Sequence, residues 1–234
     1  VTVLVAVPVL NRPHRVQPLT DNVTQTSDAS ILFVCSPKDK AQIAQVRKTQ
    51  RAHGHVGLLI VEGPYPGDYA RKINRAATMM TTQDWLLTGA DDLLFHPGWL
   101  NSALAMAHHS RARVIGTNDL GNPAVRRGGH STHSLVHKTY ITEHGAIDQP
   151  GIVYHEGYHH NWCDVEMVET ARARREWAFA TRCRIEHLHP HWGKGEHDAT
   201  YEAGLAHFKD DRRLYQRRRR MWVSGRSYTR QRTL

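Results

Sequence analysis

Four short apolar runs, each separated from the next by a segment of helical character, constrain this chain more than any other feature. Thr2 to Pro8 (TVLVAVP), Ser30 to Cys35 (SILFVC), His55 to Val61 (HVGLLIV) and residues 84 to 87 (DWLL) are apolar almost throughout. Runs without polar alternation suit strands covered on both faces, as in a parallel sheet between two helical layers. Between them lie a weak helical stretch, Val16 to Thr24, and a stronger one over 36 to 52. In the latter, Ile43 and Val46 share a face and Pro37 stands near the start. A third helix spans Tyr69 to Met80. This order predicts an α/β fold built on an open sheet flanked by helices. In such sheets the ligand crevice lies beyond the carboxyl ends of the strands. The loops 8 to 12 and 89 to 92 are therefore the first places to look for chemistry.

Past the fourth run, a helix is expected from about Pro97, with Leu100, Leu104 and Ala107 turned inward, then a strand from Arg113 to Gly116. The segment GGHSTHSLVHKTYITEHG (128 to 145) reads as a short strand with a helical turn. Asp164 to Ala178 reads as a helix, and Cys183 to Leu188 as a late strand. The chain of 234 residues suffices for one domain with an appendage. Charge locates the appendage. Of 31 basic and 22 acidic residues, ten basic and two acidic lie from Lys209 onward, so that segment carries +8 and the remainder only +1. We expect a domain over 1–208 and a basic C-terminal tail or terminal helix over 209–234, able to attract an anionic polymer or surface. The apolar start is too short for a membrane span and has no signal-peptide pattern, so no transmembrane segment and a cytoplasmic location are expected. Cys35, Cys163 and Cys183 have no ladder spacing and read as reduced thiols.

Asp91 and Asp92 directly follow a buried strand. Adjacent carboxylates repel unless a cation or donor groups neutralise them, and hard divalent ions bridge carboxylate to phosphate oxygens. Neither a Walker loop, nor GxGxxG, nor GxSxG occurs, which argues against an NTPase, a nicotinamide dehydrogenase and an ordinary serine hydrolase. HEGYH at 155 to 159 satisfies HExxH, the zinc-peptidase pattern, but Gly157 lies inside it and a strand-like run precedes it. A late segment, EHLHPHWGKGEHD (186 to 198), is crowded with histidines. If the strand before it is extended, His187 and His189 share a face.

Taken together, VAVPVLNRP (5 to 13), GADDLLFHPGWL (89 to 100), NWCDVEM (161 to 167) and the histidine-rich segment resemble the family-2-like glycosyltransferases of GT-A fold. The resemblance runs over roughly residues 1 to 205 and departs at the acidic element, where Gly89 and Ala90 stand in place of an acid. It implies a GT-A-type nucleotide-binding open mixed sheet. It also implies metal-dependent, inverting transfer of a sugar from a nucleotide diphosphate sugar to an acceptor hydroxyl, with Mn²⁺ or Mg²⁺ as cofactor and a UDP-sugar as the default donor. Asp92 is the preferred metal ligand, joined by His189 or His187, with His189 slightly favoured for its place past the strand. Asp91 would contact the ribose or assist the metal. Pro8, Asn11 and Arg12 would edge the nucleotide pocket, with Asn74 as a weaker candidate for base or ribose.

Lys194, between two glycines, would close over the diphosphate, and Asp198 would hold that loop shut. For the general base we select Asp164, as an N-cap acid held by helix amides, with Glu166 second. Trp162 and Tyr158 are candidates to stack on a sugar, and Asn118 and Asp119 to hold sugar hydroxyls. The acceptor class (protein, glycan, small molecule or DNA) stays open. A nucleotidyltransferase using Asp91, Asp92 and a metal is the nearest rival, and the HExxH peptidase a more distant one.

Overall fold

The computed structural model describes residues 1–65 and 68–223. The last eleven residues of the basic segment lie outside that range. The chain begins with β1 (Val3–Pro8), a 3-10 turn (Pro13–Arg15), α1 (Val16–Thr26), β2 (Ser30–Cys35), α2 (Lys40–Ala52), β3 (Val56–Ile60) and α3 (Tyr69–Thr78). There follow β4 (Trp85–Thr88), β5 (Leu93–Phe95), α4 (Trp99–Ser110), β6 (Val114–Asn118), α5 (Pro123–Arg126), β7 (Ser134–His137) and α6 (Lys138–Glu143). The last elements are α7 (Cys163–Ala173), β8 (Trp177–His187), a second 3-10 turn (Pro190–Trp192), α8 (Ala199–Ala206), α9 (Phe208–Arg218) and α10 (Arg220–Val223).

Among the described residues, eight strands form one sheet in the order β3-β2-β1-β4-β7-β6-β8-β5. β1 lies parallel to both β2 and β4, and β2 parallel to β3. β7 runs antiparallel between β4 and β6, and β5 antiparallel to β8, so the sheet is mixed. The unalternated apolar runs are explained by burial on both faces. In β1, Val3, Val5 and Val7 join one core cluster, while Leu4 and Ala6 join the other across the sheet. Each such buried valine or leucine contributes roughly 1.5–3 kcal/mol.

Three local expectations change. The helix read over 164 to 178 stops at Ala173, because Arg175 turns into the left-handed region (φ 60). Trp177 and Ala178 then start β8, an 11-residue strand in place of the short one read from Cys183. Its first half pairs with β6. Beyond the irregularity at Thr117/Asn118, its far end pairs with β5, whose three residues had not been separated from the preceding acids.

The segment from Phe208 to Arg218 is a terminal helix packed into the body. Asp211 is 1% exposed and accepts hydrogen bonds from three successive backbone amides, His159 (2.9 Å), His160 (3.0 Å) and Asn161 (2.8 Å). Arg218 donates from Nε to Glu166 at 2.7 Å and forks onto Asp148 at 2.6 and 3.1 Å. Among the described residues no helix is long and apolar enough to cross a membrane.

Candidate active site

The carboxyl ends of β1 and β4 open into a cavity of about 660 Å³, completed by the start of α7, the end of β8 and the α8–α9 segment. Pro8, Asn11, Arg12, Asp91, Asp92, Asp164, His187 and His189 all line it. Eight of the eleven residues selected from sequence are thus brought to one crevice from segments up to 181 positions apart.

Gly89 accounts for the departure from an acid-rich element at that position. A Cβ there would stand 2.7 Å from the carbonyl oxygen of Ala6 and 3.3 Å from Val5 Cγ1, so no carboxylate fits. The two acids that remain are held by arginines. Arg12 Nη1 lies 3.1 Å from Asp91 Oδ1 and 4.0 Å from Asp92 Oδ2, and Arg15 Nη1 lies 3.6 Å from Asp92 Oδ2. Burial and the neighbouring Asp92 charge push Asp91 up to about 6. Burial alone would also raise Asp92, but the charge of His187, 3.1 Å from Oδ1, reverses this and holds it well below the usual carboxylate range. That contact is an ion pair without an aligned hydrogen bond, so Asp92 Oδ1 is buried with no hydrogen-bonding partner.

The two late histidines separate clearly. His189 spends Nδ1 accepting from the backbone amide of His191, which caps the 3-10 turn. Burial and the charge of His187 lower its pKa to about 4. Of the two, His187 is the one in contact with Asp92, at 3.1 Å.

His133, missed in the sequence, adds a further lone pair. Its Nδ1 lies 2.6 Å from the carbonyl oxygen of Thr88, which fixes the proton there, and its buried Nε2 has no partner. Its ring meets that of His187 edge-on at 5.1 Å, and burial followed by the His187 charge lowers its pKa to about 4. An imidazole oriented by a carbonyl on one nitrogen and open at the other has the form of a metal-ligating histidine. Asp92 and His187 supply oxygen and nitrogen donors acceptable to Mn²⁺, and Asp92 suits Mg²⁺. Among the described residues no three His, Cys, Asp or Glu side chains already form a coordination shell. A cation here would accordingly take its remaining ligands from diphosphate oxygens and water, as is usual for Mg²⁺ sites.

Asp164 sits in the first turn of α7. The cap is Trp162, in the left-handed region (φ 68), so Asp164 is the second residue of the helix rather than an N-cap. Its Oδ2 lies 3.1 Å from His130 Nε2. Burial opposes its charge, but the His130 hydrogen bond and charge prevail and lower its pKa.

Three selected residues fall outside the cavity. Glu166 is 3% exposed and bound by Arg218 and by the Tyr158 hydroxyl (2.7 Å), so it fixes α9 and has no free face for an acceptor. Tyr158, fully buried with it, cannot stack on a sugar, whereas Trp162 lines the cavity. Asn74 uses its oxygen on the amides of Val153 and Tyr154 and its nitrogen on the Tyr154 carbonyl, pinning that loop to α3. Lys194 pairs with Glu186, away from the crevice. Asn118 and Asp119 also serve structure: Asn118 donates to Thr181, and Asp119 accepts from the amides of Gly121 and His187.

Asp198 makes a two-point pair with Arg12 at 2.6 and 2.7 Å. Lys72, unremarked in the sequence, lines the same crevice. It is 3% exposed, donates to the Val9 carbonyl at 3.1 Å, and burial lowers its pKa to about 8. Residues 155 to 159 form turns rather than a helix, and Glu156 pairs with Arg71 at 3.0 Å. The two histidines of HExxH thus share no helical face, which removes the peptidase reading.

No family model matches the chain, and no curated protein matches it in sequence. Among solved structures it is similar to the mannosyltransferase PcManGT from Pyrobaculum calidifontis in complex with GDP-Man and Mn²⁺. The two share 12% identity over 95% of this chain and 74% of that chain, with a TM-score of 0.64. It is also similar to S. aureus TarS 1–349, at 12% identity over 94% of this chain and 74% of that one, with a TM-score of 0.60. Against TarS 1–349 in complex with UDP the figures are 12%, 79% and 59%, with a TM-score of 0.58. At this identity the likeness is one of fold: the mixed, helix-flanked sheet is of the glycosyltransferase GT-A kind.

Proposed function

We propose that the chain transfers a sugar from a nucleoside diphosphate donor to an acceptor hydroxyl, with inversion and with the help of a divalent cation. The observation that carries this reading is that Asp92 and Asp164, 72 positions apart, line one cavity at the carboxyl ends of the strands. The solved mannosyltransferase of similar fold holds GDP-Man and Mn²⁺, and TarS 1–349 holds UDP, which supports a nucleotide-sugar donor and a cation here.

The chemistry needs charge control at two places. A bound Mn²⁺ or Mg²⁺ would offset the negative charge that builds on the departing diphosphate. Asp92 and His187 would hold it. Arg12 and Arg15 keep the two acids ionised and in place, and Lys72 adds a cation at the same crevice. Arg12 is itself committed to Asp91 and Asp198, so its part is to close the loop rather than to bind phosphate. Asp164, hydrogen-bonded to His130, takes the proton of the acceptor hydroxyl as its oxygen attacks the anomeric carbon. Trp162, at the cap of the same helix, lines the cavity beside it. The nucleotidyltransferase rival would want a glycine-rich phosphate turn after β1, and LNRPHR has no glycine.

A screen of nucleotide sugars for release of nucleoside diphosphate, with and without Mn²⁺, tests the reading. Metal-dependent release from one donor, lost in Asp92→Ala, is expected. Release of pyrophosphate from nucleoside triphosphates would instead favour the rival.

A further inference from the structure

Four arginines that the transfer does not use stand on α9, a helix with two distinct faces. The inner face of α9 (Asp211, Tyr215, Arg218) is bonded to the 159–161 loop and to α7, so the helix is a fixed part of the body. On its outer face Lys209, Arg212, Arg213 and Arg217 are exposed, continued past the helix end by Arg219 and Arg220. Of the two acids in this stretch, Asp211 is turned inward and Asp210 pairs with Arg213 at 3.2 Å, leaving a strongly positive strip.

This strip ends at the cavity. His207 and Phe208, where α9 begins, both line the crevice, and Phe208 is 40% exposed. The His207 ring stacks on His159 (4.1 Å, 5°), which stacks in turn on Tyr65 (4.7 Å, 25°). The Arg212 guanidinium lies 5.9 Å over the ring of Trp162, two residues before Asp164.

A basic track leading to exposed flat rings is the combination that binds single-stranded nucleic acid, phosphates on the arginines and bases on the rings. A membrane-surface helix would instead need an apolar outer stripe, and the apolar side of α9 faces the core. We propose that the acceptor is a single-stranded nucleic acid, its backbone lying along the outer face of α9 and its bases stacking at His207 and Phe208. The proposal rests on the transferase reading of the cavity. In the step it implies, a nucleotide hydroxyl oxygen bonds to the anomeric carbon, the bond to the diphosphate breaks, and the hydroxyl proton passes to Asp164.

The test uses the full chain and a labelled 16-nucleotide single-stranded RNA, which carries a hydroxyl on every residue, with binding followed by fluorescence anisotropy as salt is raised. The triple variant Arg213→Glu, Arg217→Glu, Arg220→Glu should lose more than about tenfold in affinity and about two units of log–log salt slope, given ~0.7 per phosphate on single strands. Phe208→Ala should weaken binding by about fivefold or more with the slope unchanged. The melting temperature of each variant verifies folding. RNA should also stimulate diphosphate release from the donor in the wild type. Equal RNA affinity in wild type and triple variant, or binding to phosphatidylglycerol vesicles but not to RNA, would overturn the proposal. Donor turnover without RNA binding sinks the acceptor and spares the transferase. RNA binding with the stated pattern but no turnover of any donor sinks the transferase reading and leaves the binding surface standing.

Discussion

Asp164 and Asp198 illustrate two different uses of a carboxylate at this site. Asp164 is proposed to accept a proton. Asp164→Asn should therefore lower kcat by about 10²–10⁴ while leaving the donor KM within about twofold, since the loss falls on the transition state. Steady-state kinetics settles this, and a variant with wild-type kcat would remove Asp164 from the mechanism. Asp198 is a latch. The hydrogen bond and charge of Arg12 hold its carboxyl at about 2, below the ordinary 3.8. A depressed acid stabilises the fold above its unfolded pKa, and that contribution disappears as pH falls through the folded value. The side chain is 32% exposed, so solvent screening limits the contribution to about 1 kcal/mol. The melting temperature of the wild type should exceed that of Asp198→Asn at pH 6, with the gap closing as pH falls from 4 towards 2; a constant gap would contradict the latch. Asp91, Asp92 and Asp164 were legible because each stands beside a strand end or helix start marked in its own neighbourhood. His133 and Lys72 were not. The role of His133 follows from the antiparallel register that sets Leu135 opposite Leu87 and so brings the ring to Thr88, a long-range fact.

At the level of elements, α9 decides whether the site loop stays in place. Arg218 and Glu166 are 4% and 3% exposed, so Arg218→Ala leaves a carboxylate buried without its partner. Loss of one member of a buried pair costs about 3–5 kcal/mol. Denaturant unfolding should show this loss, and the double variant Arg218→Met, Glu166→Gln should recover part of it. A change in Arg218→Ala below about 1 kcal/mol would mean that α9 is not coupled to the body. The first four strands and three helices could be read from sequence because their apolar spacing is local and regular. β8 was cut short because Trp177 and Ala178 continue the apolar pattern of α7 across the turn at Arg175. α8 has no buried side chain and hence no spacing to read. The buried role of α9 was masked by the charge of its outer face.

The molecule as a whole brings the ends of β1 and β4, the start of α7 and the end of β8 around one crevice, and the parallel strands leave their loops at that edge. The central claim is that this crevice takes a nucleoside diphosphate through a cation on Asp92, independently of Asp164. Isothermal titration of GDP and UDP, with and without Mn²⁺, into the wild type, Asp92→Asn and Asp164→Asn tests it most directly. At least one nucleotide should bind the wild type about tenfold or more tightly with Mn²⁺, a gain of about 1.4 kcal/mol or more. Asp164→Asn should keep that gain and Asp92→Asn should lose it. Nucleotide binding that ignores Mn²⁺ and is the same in all three proteins would contradict the account.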